Sequence, residues 1–269
     1  AGRWGTAERI ETDDTGSASW IPSTAIDAAG NVFAVWSQDG DPTSAIRNDI
    51  WANRYDAAAG RWGTAERIET DNAGDAATPR IAIDAGGNAI AVWEQSDGMQ
   101  FNIRANRYVP GTGWGTATLI ESNSTGNIGY PRIGFDGNGN AIALWYEWNG
   151  TRFRIGTNRY VPGTGWGTAT HIDTDSVGDV FSWDFAFDTA GNAIAVWQQY
   201  DGMRSNIWTN RYTAGSGWGT ATLIETDNAG SAGFPQIVID GSGNAIAVWT
   251  QDGDPTSAIR SDIWANRYE

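Results

Sequence analysis

An Asp-x-x-Gly-Asn turn recurs at Asp27, Asp84, Asp136, Asp188 and Asp240, so oxygen ligands return at a fixed spacing. The copy Asp136-Gly137-Asn138-Gly139-Asn140, with Glu147 at its twelfth position, imitates a calcium-binding loop. Ala141 stands where that loop needs glycine, and the span runs straight into a strand pattern. Aspartate and asparagine also cap their own backbone in tight turns, with glycine supplying positive φ. The turns are therefore expected to be hairpins, and neither a metal nor a cofactor is expected.

The residues for catalysis are few. His171 is the one histidine, and its equivalents in other copies are Arg9, Arg67, Leu119 and Leu223, which suits a surface imidazole. There is no cysteine nucleophile and no serine in a Gly-x-Ser-x-Gly elbow. Arg80 and Arg132 form the one equivalent arginine pair before the Asp turns, with Asp184 and Gln236 in the matching places. Among 32 acidic residues no pair is singled out for glycoside hydrolysis. No catalytic residue is assigned, and the chain is expected not to be an enzyme.

Binding chemistry is better supplied. Aromatic rings stack on sugar C–H faces, while neighbouring carboxylates and amides take the hydroxyl groups. The places where the copies differ supply both: Trp20, Tyr130, Trp183 and Phe234 ahead of the Asp turns, Asp97, Trp148, Tyr200 and Asp201 in a second turn, and Trp51, Trp208 and Trp264 in a later run. These eleven residues are the candidate ligand-binding set. Loops held on a rigid scaffold are the usual home of such sites.

The scaffold is a five-fold repeat. Trp-Gly-Thr-Ala begins at Trp4, Trp62, Trp114, Trp166 and Trp218, with spacings of 58, 52, 52 and 52. Ala-(Val/Leu)-Trp ends at Trp36, Trp93, Trp145, Trp197 and Trp249, and Asn-Arg-Tyr ends at Tyr55, Tyr108, Tyr160, Tyr212 and Tyr268. Each copy holds four runs of alternating Ile, Val, Trp, Tyr and Thr between turn residues, which reads as strand and not helix. Four strands in about 52 residues is the unit of a propeller blade. The expected fold is all-β: a five-bladed β-propeller with four antiparallel strands per blade, in one domain over 1–269. The blades are set at 17–69, 75–121, 127–173, 179–225 and 231–269 plus 1–11.

The phrase Pro79-Arg80-Ile81-Ala82-Ile83-Asp84-x-x-Gly87-Asn88 resembles the inner strand and turn of NHL-type propeller repeats. That resemblance implies the strand order from the axis outward and leaves function open. The architecture is similar to that of five-bladed tachylectin-type lectins. Residues 1–13 are identical to 59–71, and copies one and five share Gln-Asp-Gly-Asp-Pro-Thr-Ser-Ala-Ile-Arg at 38–47 and 251–260. Closure of the ring by the N-terminal strand, completing the fifth blade, is the economical expectation.

Composition narrows the class further. The 17 basic residues are all arginine against 32 acidic ones, for a net charge of −15. An acidic chain without lysine is a poor ligand for phosphate backbones, so no nucleic-acid partner is expected. No apolar stretch approaches 18 residues, so no membrane span is expected. Without cysteine, thiolate zinc sites and disulfides are excluded. Of the 16 tryptophans, ten belong to the two invariant words and are expected in the core. The function expected from the residues is a non-enzymatic, multivalent, lectin-like module that binds glycans or surface glycoconjugates at the cell surface or outside the cell. The alternative is an adhesion or protein-interaction repeat of a larger extracellular bacterial protein, and the third is a glycosidase-like enzyme.

Overall fold

The alternating runs become strands, and every regular element among the described residues is a strand. The computed structural model describes residues 3–12, 17–18, 21–39, 47–70, 74–122, 126–173, 178–226, 230–253 and 261–269. The chain divides into two compact units, Ala1–Leu119 and Ile120–Glu269.

Two antiparallel sheets make up the first unit. Ser23–Ile26, Val32–Asp39 and Asn48–Asp56 form the first, and Ala76–Ile83, Ala89–Ser96 and Phe101–Val109 form the second. The second unit holds three more. Its sheets are built on Ile128–Phe135, Ala141–Trp148 and Phe153–Val161, then Val180–Phe187, Ala193–Tyr200 and Ser205–Thr213, then Ala232–Ile239, Ala245–Asp252 and Ser261–Tyr268.

The expected fourth strand is not continuous. In four sheets it is two short pieces, such as Arg61–Trp62 and Glu66–Arg67, both laid on the third strand. Of the Gly-Thr-Ala between them, the Gly63 N–H still donates to Arg54 O at 2.8 Å, while Thr64 and Ala65 have no strand structure. The fifth sheet has three strands. Residues 3–12, expected to complete it, have no strand structure, and Trp4 is 100% exposed. Two-residue pieces carry too few ladder bonds to form without a third strand beneath them.

One packing rule holds within each unit. Phe33, Val35 and Ile50 of the first sheet meet Ala89, Ala91 and Trp93 of the second. Ile142, Leu144 and Ile155 meet Ala193, Ala195 and Trp197 in the same way. Ile194, Val196 and Ile207 then meet Ala245, Ala247 and Trp249. A large branched face is thus covered by an Ala-Ala-Trp face, the small residues making room for the indole. Each fully buried Ile or Val contributes about 1.5–3 kcal/mol.

The Ala-(Val/Leu)-Trp tryptophans are core, as expected; of the Trp-Gly-Thr set, Trp62, Trp114, Trp166 and Trp218 are half-buried and Trp4 is exposed. Trp93, Trp145 and Trp197 are fully buried, and the Trp93 Nε1–H donates to Gln95 Oε1 at 3.0 Å. The Trp-Gly-Thr indoles sit edge-on to the Asn-Arg-Tyr rings. Tyr55–Trp62, Tyr108–Trp114, Tyr160–Trp166 and Tyr212–Trp218 all have centroids 5.6–5.7 Å apart.

Candidate functional site

The Asp-x-x-Gly-Asn turns close on themselves. Asp136 Oδ1 accepts the N–H groups of Asn138 and Asn140 at 2.8 and 2.9 Å, and its Oδ2 accepts Asn140 Nδ2 at 2.7 Å. Asp27, Asp84, Asp188 and Asp240 repeat the arrangement. Among the described residues no cluster of three His, Asp or Glu side chains is placed to hold a metal ion.

The opposite end of the hairpins is built differently. In the third sheet the ladder shifts between Gly129 and Arg132, so Tyr130 and Pro131 form a bulge. Tyr130 adopts φ of 52°, and Thr78 and Phe234 take 48° and 53° at the same register. Side chains other than glycine are strained there, by about 1–3 kcal/mol each. The bulge turns the ring out of the sheet, and Tyr130 is 66% exposed.

Around that ring the second unit gathers a phenol, a guanidinium and an indole. Tyr146 lies with its ring centroid 6.2 Å from Tyr130, 6.1 Å from Trp183 and 6.4 Å from Phe153, edge-on to each. The Arg132 guanidinium stands over Trp183 at 5.1 Å, and its Nη1 donates to Asp184 Oδ1 at 2.7 Å. Asp184 Oδ2 accepts the Ile237 N–H at 3.1 Å, which ties the fourth sheet to the fifth. Burial pushes the Tyr146 phenol well above its ordinary range; the charge of Arg132 opposes that shift and Tyr130 adds to it. The phenol therefore stays neutral at ordinary pH, beside a cation fixed by both a carboxylate and a ring.

The other candidate residues have different surroundings from those expected. Trp183 is buried at 4% exposure and forms its floor, not a free platform. Its register is that of Pro131: Asp184 pairs with Val196 as Arg132 pairs with Leu144, so Ser182 is the counterpart of Tyr130. Trp51, Trp208 and Trp264 are half-buried and lie directly across from the invariant Trp36, Trp197 and Trp249. Trp148 packs edge-on to Phe153 at 5.0 Å. Asp97 and Asp201 are used by their own turns, accepting the N–H groups of Met99 and Gln100, and of Met203 and Arg204. The exposed Tyr200 donates its hydroxyl to Gly202 O at 2.9 Å. Phe234 is exposed on its own bulge. Trp20 lies outside the described residues.

Sequence reasoning missed Tyr146, and it set Arg132 aside. The signal was present. One place in the second strand reads Ser37, Glu94, Tyr146, Gln198 and Thr250, between neighbours that barely change.

No family model matches the sequence, and no curated protein matches it. Solved structures do share the architecture. Polysaccharide lyase Uly1 aligns with a TM-score of 0.60 at 10% identity, over 99% of this chain and 72% of that one. The α-L-arabinanase of Penicillium chrysogenum, complexed with arabinobiose, gives 0.54 at 10% identity, over 86% and 77%. The Hadza microbial sialidase Hz136 gives 0.52 at 12% identity; the match covers 91% of this chain and 55% of the sialidase. At such identities the likeness is one of fold, and the fold is of the β-propeller type. It also corrects two expectations. These three structures are of a polysaccharide lyase, an arabinanase and a sialidase, so the non-enzymatic lectin-like module and the absence of enzymatic activity are not retained.

Proposed function

We propose that the protein is a carbohydrate-active enzyme that cleaves glycosidic bonds at the Tyr130–Arg132–Tyr146–Trp183 cluster. The observation that supports this most is the Arg132 guanidinium held over Trp183 with the protonated phenol of Tyr146 against the same indole. Hydrolysis breaks a C–O bond to the leaving sugar as water adds at the anomeric carbon and gives up a proton. Elimination breaks one as a C–H proton is lost and a C=C bond forms, and both need a proton on the leaving oxygen. Tyr146, neutral at ordinary pH, is assigned as that donor. Arg132 holds oxygens of the bound sugar, and the exposed Tyr130 ring is the stacking surface.

The proposed framework is a five-bladed ring in which residues 1–11 complete the fifth sheet. The phrase resembling NHL repeats supports its strand order. A glycan substrate goes with action at the cell surface or outside the cell.

The test is a panel of neutral and acidic polysaccharides incubated with the purified chain, read as new reducing ends. Release from at least one glycan, with the apparent KM raised several-fold by Tyr130→Ala, is the expected result. A panel without turnover would remove the proposal.

A further inference from the structure

In the second unit, two arginines of the Asn-Arg-Tyr words each cover the tyrosine ring of the following sheet. Arg159 stands 5.5 Å over Tyr212, and Arg211 stands 5.7 Å over Tyr268. The negative face of the ring attracts the guanidinium.

The first unit departs from this arrangement. Arg54 is the matching arginine and Tyr108 the following ring, yet no guanidinium stands over Tyr108 among the described residues. Arg54 Nη1 lies 3.5 Å from Asp56 Oδ2 instead. Asp56 is itself seated, its Oδ1 accepting the N–H groups of Ala58 and Ala59 at 2.9 and 3.0 Å. The matching residues of the next three sheets are Val109, Val161 and Thr213, which carry no charge. The acid therefore gives Arg54 a partner on its own strand and leaves the Tyr108 ring open.

Beside that ring is an open cavity of about 310 Å³, with Arg54, Asp56, Arg61, Trp62, Glu66 and Tyr108 in its lining. Small-molecule sites begin near this size, at roughly 300 Å³. Arg61 stands where the next three sheets have Gly113, Gly165 and Gly217, and Glu66 where they have Thr118, Thr170 and Thr222. Neither side chain has a hydrogen bond or an ion pair among the described residues. Partial burial raises the Glu66 carboxyl above its ordinary range. Three charged departures from the repeat thus line one cavity.

We infer that this cavity binds a small guanidinium compound that also carries a carboxylate. The ligand's cation lies on the Tyr108 face, where the second unit sets an arginine of its own, with Glu66 as its counter-charge. The ligand's carboxylate pairs with Arg61, a charge-assisted contact that guanidinium geometry favours. Arg54 stays with Asp56. The site belongs to the first unit and takes no part in the cleavage assigned to the Tyr130 cluster, so the two readings stand or fall separately.

The test is titration calorimetry of the full chain at low salt with L-arginine, agmatine, which lacks the carboxylate, and L-citrulline, which lacks the cation. L-Arginine should bind with a Kd of about 1 mM or below, and the other two at least about ten-fold more weakly. Glu66→Thr and Asp56→Val introduce the residues of neighbouring sheets, and their thermal midpoints should stay near that of the wild type. Each should weaken L-arginine by at least about ten-fold, the first by removing the counter-charge and the second by releasing Arg54 onto Tyr108. The absence of binding heat with L-arginine up to about 10 mM would overturn the inference. So would equal binding of L-citrulline or agmatine by the wild type, or wild-type affinity in both variants.

Discussion

Arg132 and Asp184 meet at 2.7 Å across the third and fourth sheets, and the same guanidinium stands 5.1 Å over Trp183. The two contacts fix a cation that is itself exposed. At equivalent positions other sheets carry Ser23, Arg80 and Gln236. The pairing is therefore a departure from the repeat, placed where Tyr146 also departs from it.

Removing the cation should uncouple activity from stability. Exposed ion pairs contribute about 0–1 kcal/mol, so Arg132→Ala should shift the denaturation midpoint little. Loss of a charged donor from the site should lower kcat/KM by about 10²–10³-fold. Arg132→Lys should recover only part, because an ammonium cannot reproduce the planar contact with Trp183. Full activity in Arg132→Ala would remove this residue from the site.

Alkaline unfolding reports on Tyr146. Burial raises its pKa in the fold, so the native state keeps a proton that the unfolded chain releases near pH 10. That contribution is complete below about pH 10 and is lost as pH rises above it. Denaturant midpoints measured from pH 8 to 11 should fall more steeply in the wild type than in Tyr146→Phe. Parallel slopes would contradict the buried phenol.

Acid acts through the turns. The Asp201 carboxyl is lowered first by the Arg204 N–H, then by the Met203 N–H and the Asn206 amide; Asp97 has the same kind of support from Gln100, Met99 and Asn102. A depressed carboxylate adds stability that is present above its unfolded pKa, about 3.9, and is lost as pH falls through that range. Asp201→Asn with Asp97→Asn should lower stability at pH 7 and flatten the loss between about pH 5 and 2. A double variant with the wild-type acid profile would contradict the assignment.

Gly156 faces Trp145 where the other sheets set Trp51, Arg104, Trp208 or Trp264 across from the invariant indole. A Cβ there would lie 2.2 Å from Trp145 Nε1 and 3.0 Å from Glu147 Oε2. Gly156→Ala should cost about 1–3 kcal/mol through overpacking, read from thermal or denaturant unfolding. An unchanged midpoint would mean that the Trp145 ring swings aside freely.

Much of the scaffold was legible in the sequence because repetition multiplied each signal by five. Period-two runs placed the sheets, and the turn words placed the hairpins. The Ala-(Val/Leu)-Trp indoles announced the core. The break in the fourth strand was hidden, since Gly-Thr-Ala reads as a weak strand when its neighbours are Trp and Ile. The site was less legible. Tyr130 was found because the copies differ at that place ahead of the Asp turn. The bulge that turns it outward depends on a ladder shift that side-chain types do not encode. Trp51, Trp208 and Trp264 looked like platforms until pairing set them against the core indoles. Tyr146 escaped because period-two reading treats its position as one more strand residue, although that place varies in every copy.

The most direct test of the central claim is the release of reducing ends from the best glycan of the panel by the wild type and by Tyr146→Phe, compared under saturating substrate. A proton donor at the leaving oxygen is worth about 10²–10⁴-fold, so the variant should stay folded, bind the glycan and lose at least about 10²-fold in kcat. Turnover by Tyr146→Phe at the wild-type rate would contradict the account.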